Sequence, residues 1–164
     1  MKISIDDIKN AKNSALLVKF EEYIEEINTT EPIFAEIVFF AFGGCINAKG
    51  KIVANVKLEC DRCLKEFSQK IETDVDETYL LGCLNDGSSH EIELKDGDFV
   101  TDLCGEDEID VDDLIYQSVI LNIPNPSVCD INCSGGEFVE KYIRKDMTDP
   151  RLDVFKNMKI KKEK

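Results

Sequence analysis

Two runs of period-two alternation, separated by a short connection, constrain the folding of this chain more than any other feature. Ala54, Val56, Leu58 and Cys60 alternate with Asn55, Lys57 and Glu59; after the connection, Phe67, Ile71, Val75 and Tyr79 have the opposite parity to Lys70, Glu72, Asp74 and Asp76. Side chains two apart share a face of a strand, so each run buries its apolar set and leaves its charged set in water. The connection holds Cys60-Asp61-Arg62-Cys63. A link this short joins antiparallel strands only, because a parallel crossover needs a dozen residues or more.

The upstream segment from Ile33 to Phe42 is rich in Ile, Val and Phe and is followed by Gly43-Gly44, then by Asn47 and Gly50. It reads as the opening strand of a meander. The predicted strands are 33–46, 51–60 and 66–80. At Asp110 the period changes to that of a helix. Val111, Leu114, Ile115 and Val119 follow i, i+3, i+4 spacing, Asp110 suits an N-cap, Asp112 and Asp113 suit the positive end of the helix dipole, and Pro124 closes the segment. The helix predicted over 110–122 then covers the apolar face of the sheet. Phe138, Val139, Tyr142 and Ile143 suggest a further helical stretch, and Asp149-Pro150 reads as N-cap and N1 of a short last helix with Leu152 and Phe155. Residues 12–27 fit helix or strand, because β-propensity and charge pattern disagree there. The predicted class is α+β, an antiparallel β-sheet or partly closed barrel-like meander with packed helices, in a single domain over 1–164.

Charge narrows the function. The chain has 34 acidic side chains against 20 Lys plus Arg, a net charge of −14. Such a surface is repelled by bare phosphate backbone unless its cations are gathered in one place. They are gathered: residues 141–164 hold nine Lys/Arg and four acids, a net +5. Residues 86–113 hold twelve acids and one Lys, and read as an open, solvated acidic excursion. No uncharged run approaches the roughly 18 residues of a membrane helix. The acidic start, with Asp6 and Asp7, does not resemble an export signal, so a cytoplasmic location is expected.

Seven cysteines in a chain expected to stay in a reducing compartment point to metal ligands or thiols rather than to a disulfide framework. Cys60 and Cys63 form one close pair, and Cys129-Asp130-Ile131-Asn132-Cys133 forms a second. Tetrahedral zinc is held by such pairs on short turns, because two or three intervening residues let both sulfurs face one point about 2.3 Å away. The candidate ligands are therefore Cys60, Cys63, Cys129 and Cys133, in a four-cysteine zinc site; 65 residues separate the pairs, and spacing alone does not bring them together. The competing reading of Cys60/Cys63 is thiol–disulfide exchange, which works best at a helix N-terminus within a βαβ unit rather than between antiparallel strands. Rubredoxin-like iron binding expects a glycine knuckle that is absent after Cys63. Cys45, Cys83 and Cys104 have no partner spacing and read as buried or loop thiols, and His90 as a solvated loop histidine.

Other catalytic signatures are missing. The chain has no phosphate-binding glycine loop, no H-E-x-x-H and no G-x-S-x-G, and an EF-hand register on Gly97 would place Ile92 and Leu94 at ligand positions. A catalytic assignment among so many carboxylates would be arbitrary, and no enzymatic activity is expected.

The run Leu58-Glu59-Cys60-Asp61-Arg62-Cys63-Leu64-Lys65-Glu66-Phe67 resembles the C-x-R-C-L-x-x-F signature of the bacterial YceD family, the large ribosomal RNA subunit accumulation proteins. Leu121-Asn122-Ile123-Pro124 with Cys129 and Cys133 is similar to that family's helix ending and cysteine cluster, and Asp149-Pro150-Arg151-Leu152 resembles its late D-P-R segment. The likeness runs in family order from about Ile33 to Lys159. Many members carry further cysteines where this chain has Ser134-Gly135-Gly136-Glu137, which leaves four candidate ligands here. The resemblance implies a non-enzymatic ribosome-biogenesis factor supporting accumulation or processing of large-subunit ribosomal RNA. Its implied partners are ribosomal precursor RNA, ribosomal proteins or assembly factors. Basic ribosomal proteins would meet the acidic surface, and RNA the cations Lys141, Arg144, Lys145 and Arg151. The alternatives are a redox protein using Cys60/Cys63 and an acidic interaction module with no nucleic-acid role.

Overall fold

The two alternating runs form a hairpin of unusual length. In the structure, a computed structural model that describes residues 1–82 and 100–136, the order of elements is β1 (Lys2–Ser4), α1 (Ile5–Asn10), a 3-10 turn (Lys12–Ser14), β2 (Ala15–Glu22), β3 (Ile33–Phe42), β4 (Cys45–Glu59), β5 (Glu66–Leu80), β6 (Thr101–Asp102), β7 (Glu108–Asp110) and α2 (Val111–Leu121). β4 and β5 pair antiparallel over 15 residues each, from Cys45 opposite Leu80 to Glu59 opposite Glu66. β3 pairs with the first half of β4, and β2 with β3. With β6 added parallel to β5, the main sheet has the order β2-β3-β4-β5-β6. Among the described residues it is an open sheet with β2 and β6 at its edges, not a closed barrel, so of the two forms expected from sequence the antiparallel sheet is the one seen. β1 and β7 make a separate two-stranded ribbon.

One face of the main sheet is the core. Ile33, Ala35, Ile37 and Phe39 of β3, Ile46, Ala48, Ile52, Ala54 and Val56 of β4, and Ile71, Val75 and Tyr79 of β5 are all buried. α1 contributes Ile5 and Ile8, and α2 contributes Val111, Leu114, Ile115 and Val119, the stripe expected from the sequence. Fully burying side chains of this size contributes about 1.5–3 kcal/mol each. The Asp110 carboxylate caps α2 by accepting from the backbone N–H groups of Asp112 and Asp113. The opposite face carries cross-strand charge pairs: Lys19 with Glu36 at 2.7 Å, Lys49 with Asp76 at 3.1 Å and Lys51 with Asp74 at 3.7 Å.

Two expectations need correction, and one open choice is decided. The turn after β3 falls at Gly43-Gly44, where both φ angles are positive, and the chain then runs as one strand from Cys45 to Glu59; Asn47 and Gly50 are not turn residues. Gly50 serves close approach instead. It lies opposite Ile37, and a Cβ at that position would fall 2.1 Å from the Glu36 carbonyl oxygen and 2.6 Å from Ile37 Cα. Second, the acidic excursion is not open throughout, because its later part contributes β6, buried Leu103, β7 with buried Ile109, and the start of α2. Those two apolar side chains and the strand pairing of β6 with β5 and of β7 with β1 anchor that stretch among its carboxylates. Third, the ambiguous 12–27 segment resolves into the 3-10 turn and β2. The helices expected beyond Phe138 lie outside the described residues, as do Cys83, His90 and the basic segment 141–164.

Gly50→Ala is expected to lower stability by about 1–3 kcal/mol, since the strands must part to admit the methyl group. Gly82→Ala, where an added Cβ meets nothing within 4 Å, should stay within about 0.5 kcal/mol of the parent. Urea unfolding of the two variants checks the difference.

Candidate metal centre

The β4–β5 hairpin ends in a tight turn that presents two sulfurs. The Cys60 N–H donates to the Lys65 carbonyl at 3.0 Å, and the Leu64 N–H donates to the Cys60 carbonyl at 2.9 Å, which curls the chain so that Cys60 and Cys63 face the same side. Leu64 adopts φ 58. It occupies the left-handed conformation for which glycine is the ordinary residue, so the knuckle that looked absent from the sequence is present in the backbone.

The second pair comes from the loop after α2. Asp130 organises it, its carboxylate accepting from the Asn132 N–H at 2.7 Å and its carbonyl from the Cys133 N–H at 3.0 Å. This is the local turn chemistry for which Asp is suited. Ser127 Oγ donates to the Pro124 carbonyl at 2.8 Å and steadies the entry to the turn.

The two pairs meet. The ligand atoms of Cys60, Cys63, Cys129 and Cys133 all lie within 4.8 Å of one another. Cys60 Sγ is 3.9 Å from Cys133 Sγ, and Cys63 Sγ is 3.6 Å from Cys129 Sγ. A disulfide would require about 2.05 Å. A tetrahedron of sulfurs each about 2.3 Å from a central ion has edges of about 3.8 Å, so these spacings suit a shared ion. Cys60 is fully buried, Cys63 and Cys133 are half-buried, and Cys129 is exposed. Four soft thiolates in this arrangement could hold a metal ion, and such a donor set favours zinc or iron over hard cations.

Hydrogen bonding divides the protons unequally among the sulfurs. The Cys129 N–H donates to Cys60 Sγ at 3.4 Å. That bond, opposed by burial and helped by the N–H groups of Cys63 and Arg62, draws the Cys60 thiol down to about 6. Cys129 is pushed up to about 12, first by the neighbouring sulfur of Cys63 and then by that of Cys60. A cation at the centre would reverse the second effect, because coordination requires the thiolate.

The remaining residues singled out from sequence stand elsewhere. Cys45 is half-buried at the start of β4, and Cys104 is exposed beyond β6. Lys141, Arg144, Lys145 and Arg151 lie outside the described residues. Sequence reasoning missed the parts played by Asp61 and Ser127. The Asp61 N–H donates to the Ser127 carbonyl at 2.9 Å, and the Asp61 carboxylate accepts from the Ser127 N–H at 2.6 Å. Nothing in residue spacing announces a bond across 66 positions.

Fold and site together define an open-sheet α+β protein with a four-thiol centre at the end of its longest hairpin. The chain belongs to the family described as Large ribosomal RNA subunit accumulation protein YceD, whose model matches residues 48–159. That span contains most of β4, all of β5 and α2, and the four clustered cysteines. Comparison with curated proteins and with solved structures returned no match. No helix among the described residues is long and apolar enough to cross a membrane.

Because Leu64 bears the cost of a left-handed conformation, Leu64→Gly should leave stability unchanged or raise it by up to about 1 kcal/mol. The β-branched Leu64→Val should lower it by about 1 kcal/mol or more. Chemical denaturation of the reduced protein measures both.

Proposed function

We propose that this chain is a non-enzymatic ribosome-biogenesis factor that supports accumulation or processing of large-subunit ribosomal RNA in the cytoplasm, with zinc held in a structural role by Cys60, Cys63, Cys129 and Cys133. The observation that carries the functional part is the family match over residues 48–159. The zinc part rests on the sulfur spacings of 3.6 and 3.9 Å. Zinc bound there would supply a cross-link between β-hairpin and loop, with no open position needed for chemistry. Against the redox alternative stands the setting of Cys60 and Cys63. Their turn joins antiparallel strands instead of opening a helix, and Cys60, the sulfur whose backbone N–H contacts favour a thiolate, is fully buried, whereas exchange needs an accessible one.

Two surfaces suit two kinds of partner. On the folded domain, Glu22, Glu25, Glu26, Asp110, Asp112 and Asp113 line one cleft, a surface suited to a basic ribosomal protein or assembly factor. RNA is proposed to meet the cations Lys141, Arg144, Lys145 and Arg151, which belong to the +5 segment of an otherwise acidic chain.

The metal reading predicts about one zinc per chain by elemental analysis, lost in Cys63→Ser, which should also be less stable than Cys83→Ser. Zinc addition should release protons near pH 7 and bind more tightly as pH rises, because Cys129 must give up its proton. The functional reading is tested by co-sedimentation with ribosomal precursors at graded salt. Each neutralised phosphate contributes about −0.7 to −0.9 to the slope of log affinity against log salt. A variant truncated after Asn157 and carrying Arg144→Glu and Lys145→Glu should bind precursor RNA more weakly and with a shallower slope. Unchanged affinity and slope would move ribosome contact to the acidic surface.

A further inference from the structure

The two residues enclosed by Cys60 and Cys63 make contacts that the metal reading does not require. Asp61 exchanges two hydrogen bonds with Ser127, at 2.9 and 2.6 Å, just before the second cysteine pair. Arg62 reaches its far end, where Nη1 donates to the carbonyl of Ile131 at 3.1 Å and to that of Cys133 at 2.9 Å. These four bonds grip the stretch from Ser127 to Cys133 at both ends, and Cys129 and Cys133 lie inside the gripped stretch. None of the four uses a sulfur atom.

We propose that Asp61 and Arg62 are positioning residues that preassemble the centre, holding the Cys129–Cys133 loop against the Cys60–Cys63 turn before any metal binds. This rests on the reading of the cluster as a metal site, and adds how the site is made ready. A thiolate site that forms only around its ion must order its loop at the moment of binding, so part of the binding free energy is lost. Here the loop is ordered by a carboxylate and a guanidinium that are not ligands. The guanidinium suits the task chemically. It stays charged at every relevant pH, gives two hydrogens from one nitrogen to two carbonyls, and is more weakly hydrated than an ammonium. Four thiolates around a divalent ion carry a net charge of about −2, which the adjacent cation partly offsets.

The test uses the full chain in two states. In reduced, chelator-treated protein, hydrogen exchange at the Asp61 and Ser127 amides reports the grip without metal, and that at the Cys133 amide, which donates to the Asp130 carbonyl, reports the order of the gripped loop; competition with a chromophoric chelator reports zinc affinity. Expected for the parent is slow exchange at all three amides without metal. Arg62→Gln should accelerate that exchange and weaken zinc affinity about tenfold or more, the usual scale for partners just outside a metal's ligands. Arg62→Lys, which keeps the charge but not the planar fork, should recover part of each. Val18→Ala, a core truncation on β2, which carries none of the four cysteines, should lower global stability without either change. Unprotected exchange at Asp61 and Ser127 in the metal-free parent would overturn the proposal, as would parental zinc affinity in Arg62→Gln. A parent that takes up no zinc would overturn the metal reading instead, while the exchange comparison would still decide whether the grip exists.

Discussion

The pairing of β4 on both sides is the constraint on which the rest of the molecule depends. Its 15 residues hydrogen-bond to β5 along their whole length and to β3 from Cys45 to Val53. Its inward side chains supply the middle of the core. Two-sided pairing over that length leaves little freedom of register, since a slip by one residue would turn Ile46, Ile52 and Val56 to water. Gly50 is part of the same constraint. The backbones of β3 and β4 come so close there that any side chain would collide with the Glu36 carbonyl.

A long, register-locked hairpin makes a rigid mount for whatever sits at its end. Cys60 and Cys63 are on that end, and the helix that covers the sheet delivers the second pair. α2 packs Leu114, Ile115 and Val119 into the core, and the chain leaving it turns back toward the β4–β5 turn. The placing of the four sulfurs thus follows from the core and from the hydrogen bonds of Asp61 and Arg62, in an arrangement that could hold a metal ion. The gap between Cys63 and Cys129 is bridged by helix-on-sheet packing, which is why the centre belongs to the folded domain and not to either loop.

Charge acts separately from this architecture. The chain carries −14, yet its core buries no charged or polar side chain among the described residues. On the outer face of the sheet three charge pairs bridge neighbouring strands, and exposed pairs of this kind contribute about 1 kcal/mol or less each. Their larger consequence is for encounter. A negative surface attracts basic proteins and repels nucleic acid, so an RNA-binding role would have to rely on locally concentrated cations.

Local pattern was enough for everything that depends on neighbours in sequence. Alternation along 54–60 and 66–80 showed the hairpin, helical spacing after Asp110 showed α2 and its buried stripe, and two close cysteine pairs showed candidate ligands. Pattern failed where the deciding contact was distant. Gly50 looks like a turn residue until Ile37 is placed against it; Leu64 looks wrong for a knuckle until hydrogen bonds from both sides of the turn impose its φ; the acidic stretch looks open until Leu103 and Ile109 find the core. By itself the sequence determined which residues can be strand, helix and ligand, because those preferences come from backbone sterics and side-chain periodicity within a few positions. Only the tertiary structure decided that the sulfurs of Cys60 and Cys63 meet those of Cys129 and Cys133, because that meeting depends on the direction in which α2 crosses the sheet, a result of packing a whole core that no spacing records.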